Sequence, residues 1–368
     1  MSEMSRNACK VSLGCLVLAC SGSPEPANST DASNADDSSL YEGTRELEVI
    51  VPETGRVFVQ LAEPQLVSPP APEESSGWDL AFEGYDVFTN SGPSGVGKAA
   101  AFGQLELSAL RGAASPEVPF VASDKAGGAF LEWYAYDGAT HALYSRFHVY
   151  GVRRGEQLWK VQISSYYSEQ DNAPVSGLYR IRYAALGSAD SAAESLQIDG
   201  TAGGISGGAS AASGCLDLES GNVTMLTPDS ARESQAWDLC FRRDSITVNG
   251  EVGGPRGVSA VDLQASETSG ETLTGIRAFT DADAAARFDD VSLESFAQAQ
   301  FRGDHVVSAF ETGVWVVPRS NPREPARAAW LVQDASALQN FLIAFSVFRE
   351  PTTSSPGTVV MHVKPVEQ

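Results

Sequence analysis

Residues 78–97, WDLAFEGYDVFTNSGPSGVG, contain the pattern that decides the fold class. Two short runs there, WDLAF and YDVFT, are rich in apolar residues and strand-like, and a segment rich in glycine, serine and proline follows them. Alternation with a period of two is typical of a half-buried strand, and glycine-rich segments favour turns. Apolar and polar residues alternate in later runs such as FLEWYAY (residues 130–136), and YRIRY (residues 179–183) closes the set. The sequence therefore predicts an all-β protein built from antiparallel strands.

The first motif of this stretch occurs twice in the chain. WDLAF at residues 78–82 matches WDLCF at residues 237–241. Twelve residues beyond each tryptophan stands an asparagine, Asn90 or Asn249, which a glycine-rich turn follows. Later motifs keep the same order, with WKVQI paired to WLVQD and a strand-like run closing each block. We interpret this order as a tandem duplication with a diverged second copy.

Composition divides the chain into five segments. In order, they are a signal peptide at residues 1–19, a disordered tether at 20–44, a first β domain at 45–186, a Gly/Ala/Ser linker at 187–214, and a diverged second β domain at 215–368. Residues 281–300 are rich in alanine with spaced apolar residues, and this pattern predicts a short helical insertion in the second domain.

The N-terminus has the pattern of a lipoprotein signal. Arg6 and Lys10 precede an apolar run at residues 11–19 that is too short to span a bilayer. The run ends in VLAC, which resembles a lipobox and predicts cleavage before Cys20 and lipid on that residue. We expect an outer-membrane lipoprotein of the cell envelope, held to the membrane by its lipid alone. A net charge of -22 argues against nucleic acid as a partner.

The cysteines fit an exported protein. Cys9 and Cys15 lie in the signal peptide, and Cys20 is the predicted lipid site. Cys215 and Cys240 remain, and one pair in an oxidising compartment predicts one disulfide. Metal binding by two isolated cysteines is the less favoured interpretation.

The glycine-rich segment also spells a near match to a phosphate-binding loop. Gly92 to Lys98 fits G-x-x-x-x-G-K, but Ala99 stands where a magnesium-binding hydroxyl is needed. A strand-like run resumes within a few residues, where a phosphate loop would begin a helix. The second copy has glycines after Asn249 without a Gly-Lys pair. We therefore expect a turn between strands and no nucleotide site.

Residues 78–97 resemble the opening signature of the HmuY family of haem-binding lipoproteins. WYAY from Trp133, YGVR from Tyr150 and WKVQISSYY from Trp159 resemble the rest of its domain, so the resemblance covers about residues 45–186. The second block, at about 215–366, is at best a remote copy. The resemblance implies an all-β fold of two tandem HmuY-like domains. It also implies capture of haem or a related tetrapyrrole for uptake through an outer-membrane receptor.

Haem ligation in this family uses two axial side chains, and the sequence offers a limited choice. His141 follows a predicted turn and is the first candidate, and His148 is the second. Segment 168–177, where the resemblance places a second ligand, has no histidine, methionine or cysteine. Tyrosinate also ligates haem iron, which adds further candidates. These are Tyr144, Tyr166 and Tyr167.

Other residues receive subsidiary interpretations. Arg153 and Arg154 are candidates to pair with haem propionates, although arginines after a strand are more often solvated. His305 and His362 are interpreted as structural. The sequence has no spacing typical of a catalytic triad or a metal site beyond haem iron, so we expect no enzyme. The alternative to haem uptake is a non-catalytic adhesion or interaction lipoprotein.

Overall fold

The computed structural model describes residues 37–84, 86–170, 172–187, 193–203, 208, 210–312, 315–316 and 323–367. The predicted signal peptide, the lipid site Cys20 and the first part of the tether lie outside these residues. Within the described part of the chain, no helix combines the length and the apolar character that a membrane span requires.

The described residues are mostly strand, and antiparallel pairing occurs in every sheet. The all-β prediction is therefore confirmed. The strands are β1 (Arg45–Val51), β2 (Val57–Gln60), β3 (Gln65–Val67), β4 (Leu80–Glu83), β5 (Asp86–Thr89), β6 (Ala100–Glu106), β7 (Lys125–Gly127), β8 (Tyr134–Asp137), β9 (Ala142–Ser145), β10 (Val149–Arg154), β11 (Gln157–Gln170), β12 (Ala173–Leu186), β13 (Glu194–Asp199), β14 (Ser213–Leu216), β15 (Val223–Leu226), β16 (Leu239–Arg242), β17 (Ser245–Val248), β18 (Ser259–Asp262), β19 (His305–Val307), β20 (Ala328–Gln333), β21 (Asn340–Arg349) and β22 (Gly357–Val366). The helices are α1 (Pro228–Glu233), α2 (Leu273–Ala278) and α3 (Asp281–Asp289).

The chain forms two compact units, and each unit draws on separate parts of the sequence. Unit 1 contains the described residues of Ala129–Ile246 and Arg256–Arg302. Unit 2 contains the described residues up to Gly128, the segment Thr247–Pro255, and those from Gly303 onward.

Unit 2 is built on a five-stranded sheet and a four-stranded sheet. The strand orders are β1-β22-β21-β20-β6 and β3-β2-β4-β5. Val49 and Trp330 of the first sheet share one buried cluster with Leu80 and Phe82 of the second. Each sheet buries one face in this cluster. The other face of the larger sheet is also covered, since Ala329 and Leu331 belong to a second buried cluster.

Unit 1 also has a five-stranded and a four-stranded sheet. Their orders are β13-β12-β11-β10-β18 and β15-β14-β16-β17. The helical segment packs on the larger sheet, where Phe288 and Val291 share a buried cluster with Val149 and Leu158. Helix α3 begins with a capping box at Thr280, so the predicted helical insertion is confirmed.

The units do not follow the predicted division into residues 45–186 and 215–368. Strand β22, near the end of the chain, pairs with β1, and β18 of the predicted second domain pairs with β10 of the first. The physical reason is that strand edges are satisfied by whichever strand reaches them, and the sequence does not reveal which one does.

Two predicted unstructured segments contain ordered residues. The predicted linker at 187–214 includes β13, which pairs with β12 and buries Ile198 completely. The predicted tether at 20–44 includes Tyr41, whose ring stacks on His362 at a centroid distance of 3.9 Å. Apolar residues in both segments have found a surface to bury against, and the polar composition around them concealed this.

The motif of residues 78–82 supplies buried polar anchors for unit 2. Asp79 is buried, and its carboxylate accepts hydrogen bonds from the amides of Leu61 and Ala335, both at 2.7 Å. The carboxylate thereby joins the end of β2 to the turn after β20. The Trp78 indole donates to the carbonyl of Pro72 at 2.8 Å.

The glycine-rich segment is a turn between β5 and β6, as predicted. The Asn90 side chain occupies it, accepting from the Gly97 amide at 2.9 Å and donating to the Trp78 carbonyl at 2.7 Å. A Cβ atom at Gly95 would lie 2.1 Å from Asn90 Oδ1. The close approach of Asn90 therefore requires glycine at position 95. The Gly97 amide of this loop already donates to Asn90.

Replacing Asp79 with asparagine should destabilise unit 2. The carboxamide nitrogen would face one of two buried amide donors and leave it without an acceptor, at a cost of about 1–3 kcal/mol. We expect Asp86→Asn, at an exposed position on the neighbouring strand, to have little effect. Chemical unfolding of both variants would test this, and equal midpoints would contradict the role of Asp79.

Cys215 and Cys240 form a disulfide between β14 and β16, so this prediction is confirmed. The bridge closes a loop with a sequence separation of 25 and lies beside the buried Trp237.

The double replacement Cys215→Ala and Cys240→Ala should lower the free energy of unfolding of unit 1 by about 3 kcal/mol, because the unfolded chain regains the entropy of an open loop. Chemical unfolding with and without a reductant is the measurement. Reductant should destabilise the parent protein and leave the double variant unchanged. A midpoint in the double variant equal to that of the oxidised parent would refute the prediction.

Candidate functional site

His141 lies at the tip of the hairpin formed by β8 and β9 in unit 1. The Asp137 side chain accepts from the Ala139 amide at 2.9 Å, and the His141 amide donates to the Asp137 carbonyl at 2.7 Å. His141 itself has a φ of 58°, in the left-handed region. The predicted turn before His141 is therefore present, and it places the histidine outside the regular strand.

The His141 side chain is exposed, and its orientation is fixed by one neighbour. Its Nδ1 shares a hydrogen bond with the hydroxyl of Tyr136, in the strand β8 that precedes the turn. Among the described residues, Nε2 has no hydrogen-bond partner. A histidine with one nitrogen held and the other exposed is suited to donate a lone pair to a metal ion.

The three candidate tyrosines have different surroundings. Tyr166 is buried against Trp133 and Tyr167, and burial raises its pKa, which disfavours the tyrosinate that iron would need. The Tyr167 hydroxyl accepts from the Leu143 amide at 3.1 Å. Tyr144, half-buried in β9, has the Arg277 guanidinium 5.3 Å from its ring centroid.

His148 is buried between two carboxylates. Nδ1 lies 2.8 Å from Asp262 Oδ2, and Nε2 lies 3.1 Å from Glu271 Oε1. Arg146 lies 2.6 Å from the other oxygen of Glu271. Burial alone lowers the pKa of His148, but the hydrogen bonds and charges of Asp262 and Glu271 outweigh it, so the pKa is raised. Because a carboxylate engages each nitrogen of this buried ring, the structure does not favour His148 as an axial ligand.

A cavity of about 240 Å³ adjoins this cluster. Arg146, Glu271 and Arg287 supply its charged lining, and Ile276 and Phe279 supply an apolar part. Cavities that hold drug-sized ligands usually measure about 300–1,000 Å³. The cavity can admit a small polar group but is too small to enclose a tetrapyrrole.

The two candidate propionate partners are engaged within unit 1. Arg154 forms ion pairs with Asp238 at 3.0 Å and Asp217 at 3.6 Å, and a third with Glu219. The Arg153 guanidinium lies over the ring of Phe301, 3.8 Å from its centroid. With three carboxylates around it, Arg154 has a structural role, which does not favour its assignment to a propionate.

The remaining histidines are structural or isolated. His362 is buried, and its Nε2 lies 2.9 Å from Ser346 Oγ, in agreement with the prediction. His305 is exposed in β19, opposite Gly127. Within the described ranges, no three residues of the metal-ligating types cluster as a metal site.

The residues predicted to hold haem are therefore not brought together as a two-ligand set. His141 is exposed on a hairpin, whereas His148 is sealed beneath the helical segment by Asp262 and Glu271. A clamp by two histidines does not fit these residues, but a single axial ligand at His141 does. Sequence reasoning did not find the acidic partners, because acidic residues are numerous and their spacing carries no signal. Of the acidic partners of His148 and Arg154, only Asp238 lies in a motif that the sequence revealed, WDLCF at residues 237–241.

Comparisons with protein-family models and with curated proteins find no match to this chain.

The His148 cluster should make the stability of unit 1 depend on pH. Because the pKa of His148 is raised above its ordinary value of 6.5, its stabilising contribution is complete below pH 6.5 and is lost as the pH rises through the folded value. We expect His148→Gln to lower the free energy of unfolding more at pH 6 than at pH 9.

Chemical unfolding of the parent and variant at both pH values is the measurement, and His305→Gln is the matched control at an exposed histidine. A loss of stability in His148→Gln that is equal at the two pH values would show that His148 is not protonated between its carboxylates.

Proposed function

We propose that the protein is a lipoprotein of the bacterial cell envelope that captures haem, or a related tetrapyrrole, through His141. The observation that carries the proposal is the exposed His141 imidazole on the β8–β9 hairpin, held through Nδ1 by Tyr136. The resemblance of residues 78–97 to HmuY-family lipoproteins supports the choice of ligand. Attachment through Cys20 and delivery to an outer-membrane receptor belong to the same proposal.

The chemistry of the hairpin suits an iron ligand. When Nδ1 donates its proton to the Tyr136 hydroxyl, Nε2 carries the lone pair that haem iron requires. The hydrogen bond also limits rotation of the imidazole ring. The partly exposed ring of Tyr136, on the same hairpin, offers an apolar face for a macrocycle.

A single protein ligand follows from the engagement of His148. Because Asp262 and Glu271 hold both of its nitrogens, it cannot approach a second face of the iron without breaking two buried ion pairs. We therefore propose one axial histidine, with affinity below that of a carrier that clamps iron from both sides.

Haemin titration of residues 21–368 should give a saturable shift of the Soret band. His141→Ala should abolish the shift or weaken binding by at least tenfold, because the iron loses its protein ligand. Two matched variants should bind like the parent protein: His305→Ala, which removes another exposed histidine, and His148→Gln, which removes the buried one.

Each of the other outcomes has a definite meaning. A shift that survives His141→Ala would assign the iron to Tyr144 or Tyr167. Loss of the shift in His148→Gln, in a protein that still folds, would overturn the single-ligand proposal. The absence of any shift in the parent would leave the alternative function, a non-catalytic adhesion or interaction lipoprotein, which the internal use of His148 and Arg154 would then favour.

A further inference from the structure

The two copies of the WDL motif make the same hydrogen bonds. Each tryptophan indole donates to the carbonyl of the residue six positions earlier, at 2.8 Å from Trp78 to Pro72 and at 2.9 Å from Trp237 to Ala231. Such specific side-chain geometry at two sites agrees with a duplicated structural unit.

The aspartates that follow the tryptophans correspond in the same way. Asp79 Oδ2 accepts from the Leu61 amide at 2.7 Å, and Asp238 Oδ2 accepts from the Leu218 amide at 2.8 Å. The second contact of each aspartate reaches the end of an equivalent strand. Asp79 accepts from Ala335 after β20, and Asp238 is paired with Arg154 at the end of β10.

The larger sheets of the two units have equivalent strand orders. In β1-β22-β21-β20-β6 and β13-β12-β11-β10-β18, β1 corresponds to β13, β6 to β18, and β20–β22 to β10–β12. The pairing of β21 with β22 in unit 2 and the pairing of β11 with β12 in unit 1 each have a register shift at the equivalent position. It lies between Phe345 and Val347 in unit 2 and between Ile163 and Ser165 in unit 1.

A stacked aromatic pair also recurs. Phe310 stacks with Trp330 in unit 2, and Phe130 stacks with Tyr150 in unit 1. Trp330 therefore corresponds to Tyr150 in β10, and Trp159 of β11 has a different counterpart, in β21. The pairing of WKVQI with WLVQD in the sequence was wrong by one strand, because Trp330 lies in β20, which corresponds to β10, whereas Trp159 lies in β11.

These correspondences define two repeats whose parts are distributed across both units. The first repeat runs from β1 to β12, and the second from β13 to β22. Unit 2 combines β1–β6 of the first repeat with β20–β22 of the second. Unit 1 combines β13–β18 of the second repeat with β10–β12 of the first.

We infer that this chain is a tandem repeat whose two copies have exchanged their C-terminal three-stranded segments within one molecule. Each repeat is then the structural partner of the other, and neither completes its five-stranded sheet alone. The inference concerns the architecture and does not depend on the proposed binding of haem.

The point of exchange is a short antiparallel ribbon formed by β7 and β19. Asp124 precedes β7 and accepts from the Thr89 amide at 3.0 Å, as Asp304 precedes β19 and accepts from the Val248 amide at 2.8 Å. The two strands are therefore equivalent. Their register pairs His305 with Gly127 and Val307 with Lys125, so the ribbon is symmetric about its central pair.

The extended ribbon explains why the copies exchange their segments. A repeat that closed on itself would need its chain to turn back near β7, but Lys125–Gly127 is a strand that pairs with its own counterpart. Exchange replaces each three-stranded segment by the equivalent segment of the other repeat, so the strand order of each sheet is kept and only the copy that supplies the segment changes. The ribbon adds hydrogen bonds that an unexchanged repeat would lack.

Disulfide trapping in the full chain tests the exchange directly. Ile50 of β1 faces Thr358 of β22 in the observed register, and Ile50 is 45% exposed. In an unexchanged repeat β1 would instead face the equivalent position of β12, which is Leu178. The test therefore compares the pair Ile50→Cys and Thr358→Cys with the control pair Ile50→Cys and Leu178→Cys.

A protease site inserted between Gly187 and Ala193 separates the two repeats after oxidation. We expect the first cysteine pair to keep the two fragments linked on a non-reducing denaturing gel, and the control pair to release them. A second pair, Arg153→Cys and Ser259→Cys, tests the other unit, where these residues face each other. Its control is Arg153→Cys with Ala100→Cys, at the equivalent position of β6.

The outcomes separate the alternatives even if one variant fails to fold. Linkage by either exchanged pair, without linkage by its control, supports the inference. An internal bond in either control pair, which leaves the cleaved fragments unlinked and is detected by peptide mapping, would overturn it. Free separation of the cleaved parent fragments in native buffer would also overturn it, because exchanged repeats cannot part without unfolding.

Discussion

The buried carboxylates of Asp79 and Asp238 are the constraint on which the rest of the structure depends. Each joins the early strands of a unit to the end of a strand from a distant part of the sequence. A buried carboxylate without partners would be costly, so the partners must be present for the unit to form. In unit 2 two backbone amides are the partners of Asp79. In unit 1 one backbone amide and the Arg154 guanidinium are among the partners of Asp238.

This constraint determines which side chains remain for binding. Because Asp238 holds Arg154 at the end of β10, that arginine stabilises unit 1 and is lost to a ligand. At the start of the same strand, Asp262 and Glu271 enclose His148. His141, at the tip of its hairpin, bonds through Nδ1 to Tyr136, which belongs to neither network, and its side chain is exposed. The proposed site is therefore a residue that the fold does not use for its own stability.

The two repeats differ at the helical segment, which belongs to the second repeat. Helices α2 and α3 follow β18 in the second repeat, and the Lys160 ammonium of the first repeat donates to the Phe288 carbonyl at 2.7 Å. Divergence also reaches the buried aspartates beside the ribbon. Hydroxyls of Thr89 and Ser94 donate to Asp124, but Val248 stands in the place of Thr89 near Asp304. Burial with fewer donors raises the pKa of Asp304 to about 7.

The sequence by itself determined the antiparallel strands, the glycine turn, the helical segment, the disulfide and the existence of a repeat. These features depend on local periodicity, on backbone freedom or on the number of cysteines, which are all visible along the chain. Within the proposed site, it also indicated the turn that presents His141.

Only the tertiary structure decided which strands complete each sheet and which polar side chains become partners. Strands β12 and β22 have similar sequence patterns. No local pattern therefore shows which of them pairs with β1, as a closed repeat or an exchanged one would require. The acidic partners of His148 and Arg154 lie far away in sequence among many similar residues. Pairing over such separations is set by the geometry of the folded chain, which brings particular edges and charges together.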